Sequence, residues 1–158
     1  MSPRNFMLRV IEPGLALVPG YMACDAARVL LMAIAGQESN WSARAQVGDG
    51  GALGYWQFQQ DGVAGVLEGV ASGAVLRSII ATLDVPQTSV WSALQYNDPL
   101  ACAVARLCLW NDPAPLPAVG DIDDGWDYYV RNWRPGKPDR SRWDAVYATA
   151  VSGLDWAS

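Results

Sequence analysis

Residues Val29 to Ala35 form an unbroken apolar run inside a segment that reads as a helix from about Asp25, a plausible N-cap, to Ser39. A helix apolar on all sides has no face to offer water, so it belongs in the centre of a fold. The run is too short to span a bilayer. It leads into Gly36-Gln37-Glu38-Ser39. Ile34 and Leu31 precede Glu38 by one and two helical turns and share its face. A carboxyl group therefore closes an apolar stripe. Burial disfavours its charged form and raises its pKa, and the negative end of the helix dipole pushes the same way. A carboxyl kept protonated near neutrality can serve as a general acid. The plain alternative is a helix-terminal Glu turned to solvent. What weighs against that alternative is the next segment, Gly50-Gly51-Ala52-Leu53-Gly54-Tyr55-Trp56-Gln57-Phe58, glycine-rich, aromatic and unlike a helix.

Composition narrows the chemistry. A chain of 158 residues, 51% hydrophobic and 17% charged, suits one folded domain with a real core. Its net charge of −5 argues against a nucleic-acid partner. There is no histidine, which removes Ser-His-Asp and Cys-His catalysis and His-based zinc sites. Cys24, Cys102 and Cys108 are odd in number and contain no CxxC pair. They read as small buried apolar residues rather than a disulfide framework or metal site. No metal or cofactor is expected. Arg4 and Arg9 are not followed by a clean apolar run with a cleavage site, so no signal peptide is read, and synthesis in the cytoplasm without self-export is expected. Residues 131–142 hold five cations, Arg131, Arg134, Lys137, Arg140 and Arg142, against Asp139 alone. A solvated stretch that balances Asp121, Asp123, Asp124 and Asp127 is the favoured description over a ligand-binding one.

Along the chain, residues 1–22 carry Pro3, Pro13 and Pro19 and read as an irregular arm, followed by a domain over 23–158. Residues 42–60 read as loops or a short hairpin, the one strand candidate. Glycines shorten any helix in 62–73. Helices follow from about Val75 to Leu83, then from Asp84, where Gln87 completes a weak capping box and Val90, Trp91 and Leu94 are carried. Leu100, Ala103, Val104, Leu107 and Cys108 form a helical stripe, and Pro113, Pro115 and Pro117 a rigid connection. Trp126, Tyr129, Val130 and Trp133, and then Trp143, Val146, Tyr147 and Ala150, repeat a spacing of 0, 3, 4 and 7 and read as core faces. The expectation is a mainly α domain with a minor β-hairpin or loop region.

Two motifs and their order resemble the lytic transglycosylase family, whose fold is lysozyme-like. Glu38-Ser39 matches its helix-ending Glu-Ser pair, and Ala52-Leu53-Gly54-Tyr55-Trp56-Gln57 its Ala-x-Gly-x-x-Gln-like turn. A closer resemblance is to phage-encoded proteins of this fold, through Ala33 to Ser39, Arg44-Ala45-Gln46, Gly54 to Phe58, and Trp126 to Pro138. The resemblance covers about residues 15–150. Leu53 stands where many members carry a polar residue, and the family's Ala-Tyr-Asn-like segment is replaced by Trp126-Asp127-Tyr128-Tyr129, so that Tyr128 or Tyr129 would substitute.

The resemblance implies cleavage of the β-1,4 bond between N-acetylmuramic acid and N-acetylglucosamine in peptidoglycan glycan strands. Glu38 would protonate the leaving oxygen, then take the C6 hydroxyl proton as a 1,6-anhydro ring closes. One carboxylate suffices, whereas a hydrolase usually needs a second. Asp49 is the candidate second carboxylate, ahead of Asp61; both sit beside glycine, where Asp is an ordinary turn former. Gln57 could bond the substrate acetamido group or Glu38, or simply hold a turn. Ser39 reads as a turn or cap residue near the substrate, since nothing basic is present to activate it. Tyr55, Trp56 and Tyr128 could stack on sugars, with Trp56 equally suited to the core. The alternatives are a lysozyme-fold virion protein without activity, and a peptidoglycan or chitin hydrolase that uses Glu38 and Asp49. The phage resemblance implies a virion component, in the tail or ejection apparatus, that acts in the periplasm or cell wall; a holin-dependent lysis enzyme is the competing route. Phe6, Met7, Leu8, Val10 and Ile11 have little of the arm's own to bury them, which suggests docking on other virion proteins. The basic stretch offers a second contact surface.

Overall fold

The computed structural model describes residues 1–42 and 51–157. Asp49 and the Arg44-Ala45-Gln46 motif lie outside the described residues. The described residues are mainly helical: α1 Pro3–Phe6, α2 Glu12–Leu15, α3 Asp25–Ser39, α4 Gln60–Glu68, α5 Gly73–Thr82, α6 Val90–Ala93, α7 Asp98–Trp110, α8 Ile122–Trp133, α9 Arg140–Ser152 and α10 Leu154–Ala157, with 3-10 turns at Gly20–Met22 and Gln87–Ser89. The expected hairpin reduces to one isolated antiparallel bridge, Leu53 with Phe58.

The apolar run does become the centre. Every residue from Val29 to Ala35 is buried. Helix α3 packs along α9 and also meets α7, α8 and α10. Cys24 takes the N-cap position and Asp25 opens the first turn, so the helix begins one residue earlier than expected. Asp84 has a left-handed backbone (φ 54°) after α5 and starts no helix; a 3-10 turn and the short α6 follow instead. Cys102 is buried, Cys108 half-buried and Cys24 exposed, so the last departs from the expected buried role; all three are free. Burial pushes the Cys108 thiol up to about 11 and the Cys102 thiol higher still.

The N-terminal segment is not an irregular arm. Ser2 caps α1, accepting from the Asn5 N–H, and Pro3 occupies the first turn, where its missing N–H costs nothing. A π-turn over Met7–Ile11 joins α1 to α2. Pro13 would crowd the carbonyl four residues back in a regular helix, and the widened turn immediately before it relieves that clash. Phe6, Met7, Val10 and Ile11 are fully buried, while Leu8 remains exposed. Gly14 lies so close to α7 that a Cβ there would fall 2.3 Å from the Cys102 Cβ. Four of the five apolar residues expected to seek a partner are therefore used in the chain's own core, with Leu8 the exception.

The candidate active site

Glu38 lies in the last turn of α3. Asn40 ends that helix in the left-handed region (φ 52°), a conformation asparagine tolerates better than most residues, and its N–H returns to the Gly36 carbonyl. Trp41 folds back over Gly36, where a Cβ would come within 2.5 Å of its ring, and the indole N–H donates to the Met32 carbonyl at 3.0 Å. A glycine is thus required one turn before the chain leaves Glu38. From α9, Arg142 donates to the Gly36 carbonyl, and the Gln37 amide donates to the Asp139 carbonyl at 2.7 Å, fixing the helix end from the other side.

The glycine-rich segment forms a tight turn between Leu53 and Phe58, which exchange both backbone hydrogen bonds at 2.9 Å. Gly54 (φ 73°) and Gln57 (φ 53°) supply the left-handed bends. The turn drives Tyr55 and Trp56 inward. Trp56 is fully buried and donates its indole N–H to the Leu31 carbonyl at 2.9 Å. Phe6 meets Tyr55 edge-on at 4.9 Å and Trp56 at 5.7 Å. Both aromatics are core residues with no face for a sugar, which corrects the expectation of stacking. Half-buried Gln57 and buried Phe58, at the turn's end, line a groove instead.

That groove, about 680 Å³, has Glu38, Phe58, Asp61, Asn132, Trp133 and Arg134 among its lining residues, with Gln57, Gln59 and Cys108. The end of α8 forms one wall. Trp133 donates its indole N–H to the Trp56 carbonyl at 3.0 Å and packs on Phe58 with ring centroids 5.4 Å apart. Asn132 is held by the Asp112 carboxylate at 2.8 Å, which Arg131 and the Ala114 N–H also engage. Burial would raise the Asp112 pKa, but the bonds from Asn132, Ala114 and Arg131 outweigh it and hold the carboxyl below its ordinary range. Arg134 caps α8 in the left-handed region (φ 47°), and Pro135 follows. It lines the groove without an ion pair among the described residues.

Tyr129 donates its hydroxyl to Glu38 Oε1 at 2.7 Å. Its ring stacks on Trp143 at 5.3 Å and 10°, so α9 fixes the orientation of the tyrosine that touches the acid. Desolvation raises the Glu38 pKa, and the Tyr129 bond opposes it without cancelling it. Burial, reinforced by the nearby carboxylate, pushes the Tyr129 hydroxyl far above its usual range, so it stays a donor. The neighbouring Tyr128 turns the other way, donating to the Leu109 and Ala114 carbonyls, with its pKa pushed up to about 12 by burial. Tyr128 is therefore no groove residue. Ser39 is buried in the last turn of α3, donates to the Ala35 carbonyl at 2.9 Å and is not among the residues lining the groove, so the cap falls to Asn40 and Ser39 has no place at the substrate. Gln57 lines the groove and donates its amide to the Gly54 carbonyl at 2.9 Å, the turn-holding role.

Phe58, Gln59, Asn132, Trp133 and Arg134 line the groove without having been singled out for it. Trp133 in particular reads from its spacing as core. Arg134-Pro135-Gly136 after a helical stripe was the available signal, since it ends a helix and exposes its last turn. The basic stretch is mostly spent internally: Arg131 pairs with Asp112, and Arg140 with Asp123 and Asp144. Arg134 is the part of it that faces the groove. Among the described residues, no cluster of His, Cys, Asp or Glu could hold a metal, and no single helix is long and apolar enough to cross a membrane. No family model, curated protein or solved structure matches the chain.

Proposed function

We propose that this chain is a lytic transglycosylase of the lysozyme-like fold, cleaving the bond between N-acetylmuramic acid and N-acetylglucosamine in peptidoglycan with Glu38 as its acid and base. The observation that carries this reading is a half-buried carboxyl with a raised pKa, set in a groove and bonded by one tyrosine. Glu38 protonates the glycosidic oxygen as the bond to the anomeric carbon breaks. The substrate's acetamido group shares the positive charge that develops. The Glu38 carboxylate, steadied by the Tyr129 hydroxyl, then removes the C6 hydroxyl proton as O6 bonds to the anomeric carbon. The acid is regenerated, no water is consumed, and the product ends in a 1,6-anhydro sugar. Arg134 suits the carboxylates of the stem peptide, or the lactyl carboxylate of a sugar from which the peptide has been removed.

Glu38→Gln keeps the shape and the acceptor for Tyr129 while removing the proton. Turnover of purified peptidoglycan should fall at least ~100-fold, and mass spectrometry of the wild-type digest should show anhydro ends. Reducing ends would assign a hydrolase, for which Asp49→Asn tests the expected second carboxylate and Asp61→Asn the one among the described lining residues. Muropeptide binding with no turnover would assign a binding protein. Action from a phage particle is proposed on the resemblance alone, because Phe6, Met7, Val10 and Ile11 are committed to the core. Presence of the chain in purified, nuclease-treated particles is the check; recovery only from the soluble lysate would assign the lysis role.

A further inference from the structure

The groove beside Glu38 does not stop at α4. A second, open depression of about 590 Å³ shares Gln59 and Asp61 with it and also has Trp91 in its lining. The volume of the first falls in the range of about 300–1,000 Å³ in which small-molecule sites lie, and the second is a shallower extension of its wall. Trp91 is half-buried, and its indole N–H donates to the Phe58 carbonyl at 2.9 Å. The polar edge of the ring is thus used inward, leaving apolar ring surface for the cavity. Phe58 links the two spaces, with its ring against Trp133 in the first and its carbonyl fixing Trp91 in the second.

The chemistry of this extension is specific. A pyranose presents C–H groups on its face and hydroxyl or amide groups around its edge. A fixed indole meets the face, and the side chains of Gln59, Gln60 and Asp61 supply donors and acceptors for the edge. A substrate that reached only Glu38 would fill only the first cavity. We propose that Trp91 is a distal sugar platform of the same groove, so that the protein engages an extended glycan strand rather than a single disaccharide repeat. This rests on the reading of the Glu38 groove as a glycan site.

The test uses full-length Glu38→Gln protein, which binds without cleaving. Indole N–H resonances are followed by NMR during titration with uncrosslinked peptidoglycan glycan strands or with a single-repeat muropeptide, Trp91→Phe assigning the Trp91 signal. The long strands should shift the Trp91 resonance and the single repeat should not. Trp91→Ala should weaken strand binding about 10-fold, as expected from losing one stacking contact of about 1–1.5 kcal/mol. Ala64→Glu, which places a large side chain in the same depression while leaving Trp91 in the sequence, should do the same and guards against misfolding of the Trp91 variant. Strand binding with an unmoved Trp91 signal and unchanged affinity in both variants overturns the proposal while leaving the Glu38 site standing. Strand binding through Trp91 with no cleavage by the wild type supports it and removes the catalytic assignment instead. Absence of strand binding overturns both.

Discussion

The interior and the rim of the groove are built by opposite means. Behind Glu38, α3, α9, the N-terminal helical segment and α7 bury apolar faces in regular or nearly regular helix, and the side chains do the work. Around Glu38 the backbone does it. Among the described non-glycine residues, Asn40, Trp41, Gln57 and Arg134 have positive φ and turn the segments that carry the groove, while Asp84 lies elsewhere. Each such residue costs of order 1–3 kcal/mol and persists only where its surroundings impose it. Here the imposing groups are the indoles of buried Trp41 and Trp56 and of half-buried Trp133, each donating to a backbone carbonyl. The core thus supports a rim that would not hold its shape alone.

The strongest challenge to this contrast is at the N-terminus. Phe6 braces Tyr55 and Trp56 from behind, so Phe6→Ala should cost about 3–5 kcal/mol, a large share of a typical 5–15 kcal/mol total. Denaturant unfolding measures this, and a loss under about 1 kcal/mol would restore the segment to a dispensable arm. At the rim, Tyr129→Phe removes the bond to Glu38 with little change in packing. Turnover should fall about 10-fold, the worth of one charge-assisted bond. Because that bond lowers the Glu38 pKa, its loss raises the pKa further, and the alkaline limb of the pH–activity profile should move to higher pH. A limb that stays in place would separate Tyr129 from the acid's titration.

Arg134→Gly addresses backbone cost directly. Glycine adopts the left-handed cap freely, and after its greater chain entropy is subtracted the variant should gain about 0.5–1 kcal/mol in denaturant unfolding. Strand affinity should drop in the same variant. Stability without that drop would make Arg134 a cap only. The smallest effect is in Glu38 itself. Its folded pKa is raised, so the folded state holds the proton to higher pH than the unfolded chain. Wild-type stability therefore declines as pH rises from the unfolded value through the folded one, and the full cost is present above it. Glu38→Gln does not titrate. It should melt above the wild type at pH 7, and the difference should close below about pH 4, under the ordinary Glu range.

Local patterns expose most of the helices. The stripes from Leu100 and from Trp143 bury as their spacing requires, because a 3.6-residue period puts those positions on one face whatever they pack against. The same rule misplaces Trp133, which shares the stripe of Trp126 and Tyr129 but sits past the end of the core, at the groove. Tyr55 and Trp56 fail for a related reason. A left-handed Gly54 and Gln57 decide which side of the turn faces in, and periodicity does not reach into a turn.

From the sequence alone come the central helix, the carboxyl at its end, the absence of histidine chemistry and the mainly α character. Each follows from composition or from repeats within one helix, which are local. The tertiary structure decided that Tyr129 and not Tyr128 meets the acid, that the N-terminal segment is core, and that Asp61 and Trp91 continue the groove. Those outcomes depend on groups 33 to 91 residues apart meeting in space. Adjacent residues such as Tyr128 and Tyr129 differ by about 100° around a helix, and only the neighbour that α9 presents determines which of them turns toward Glu38.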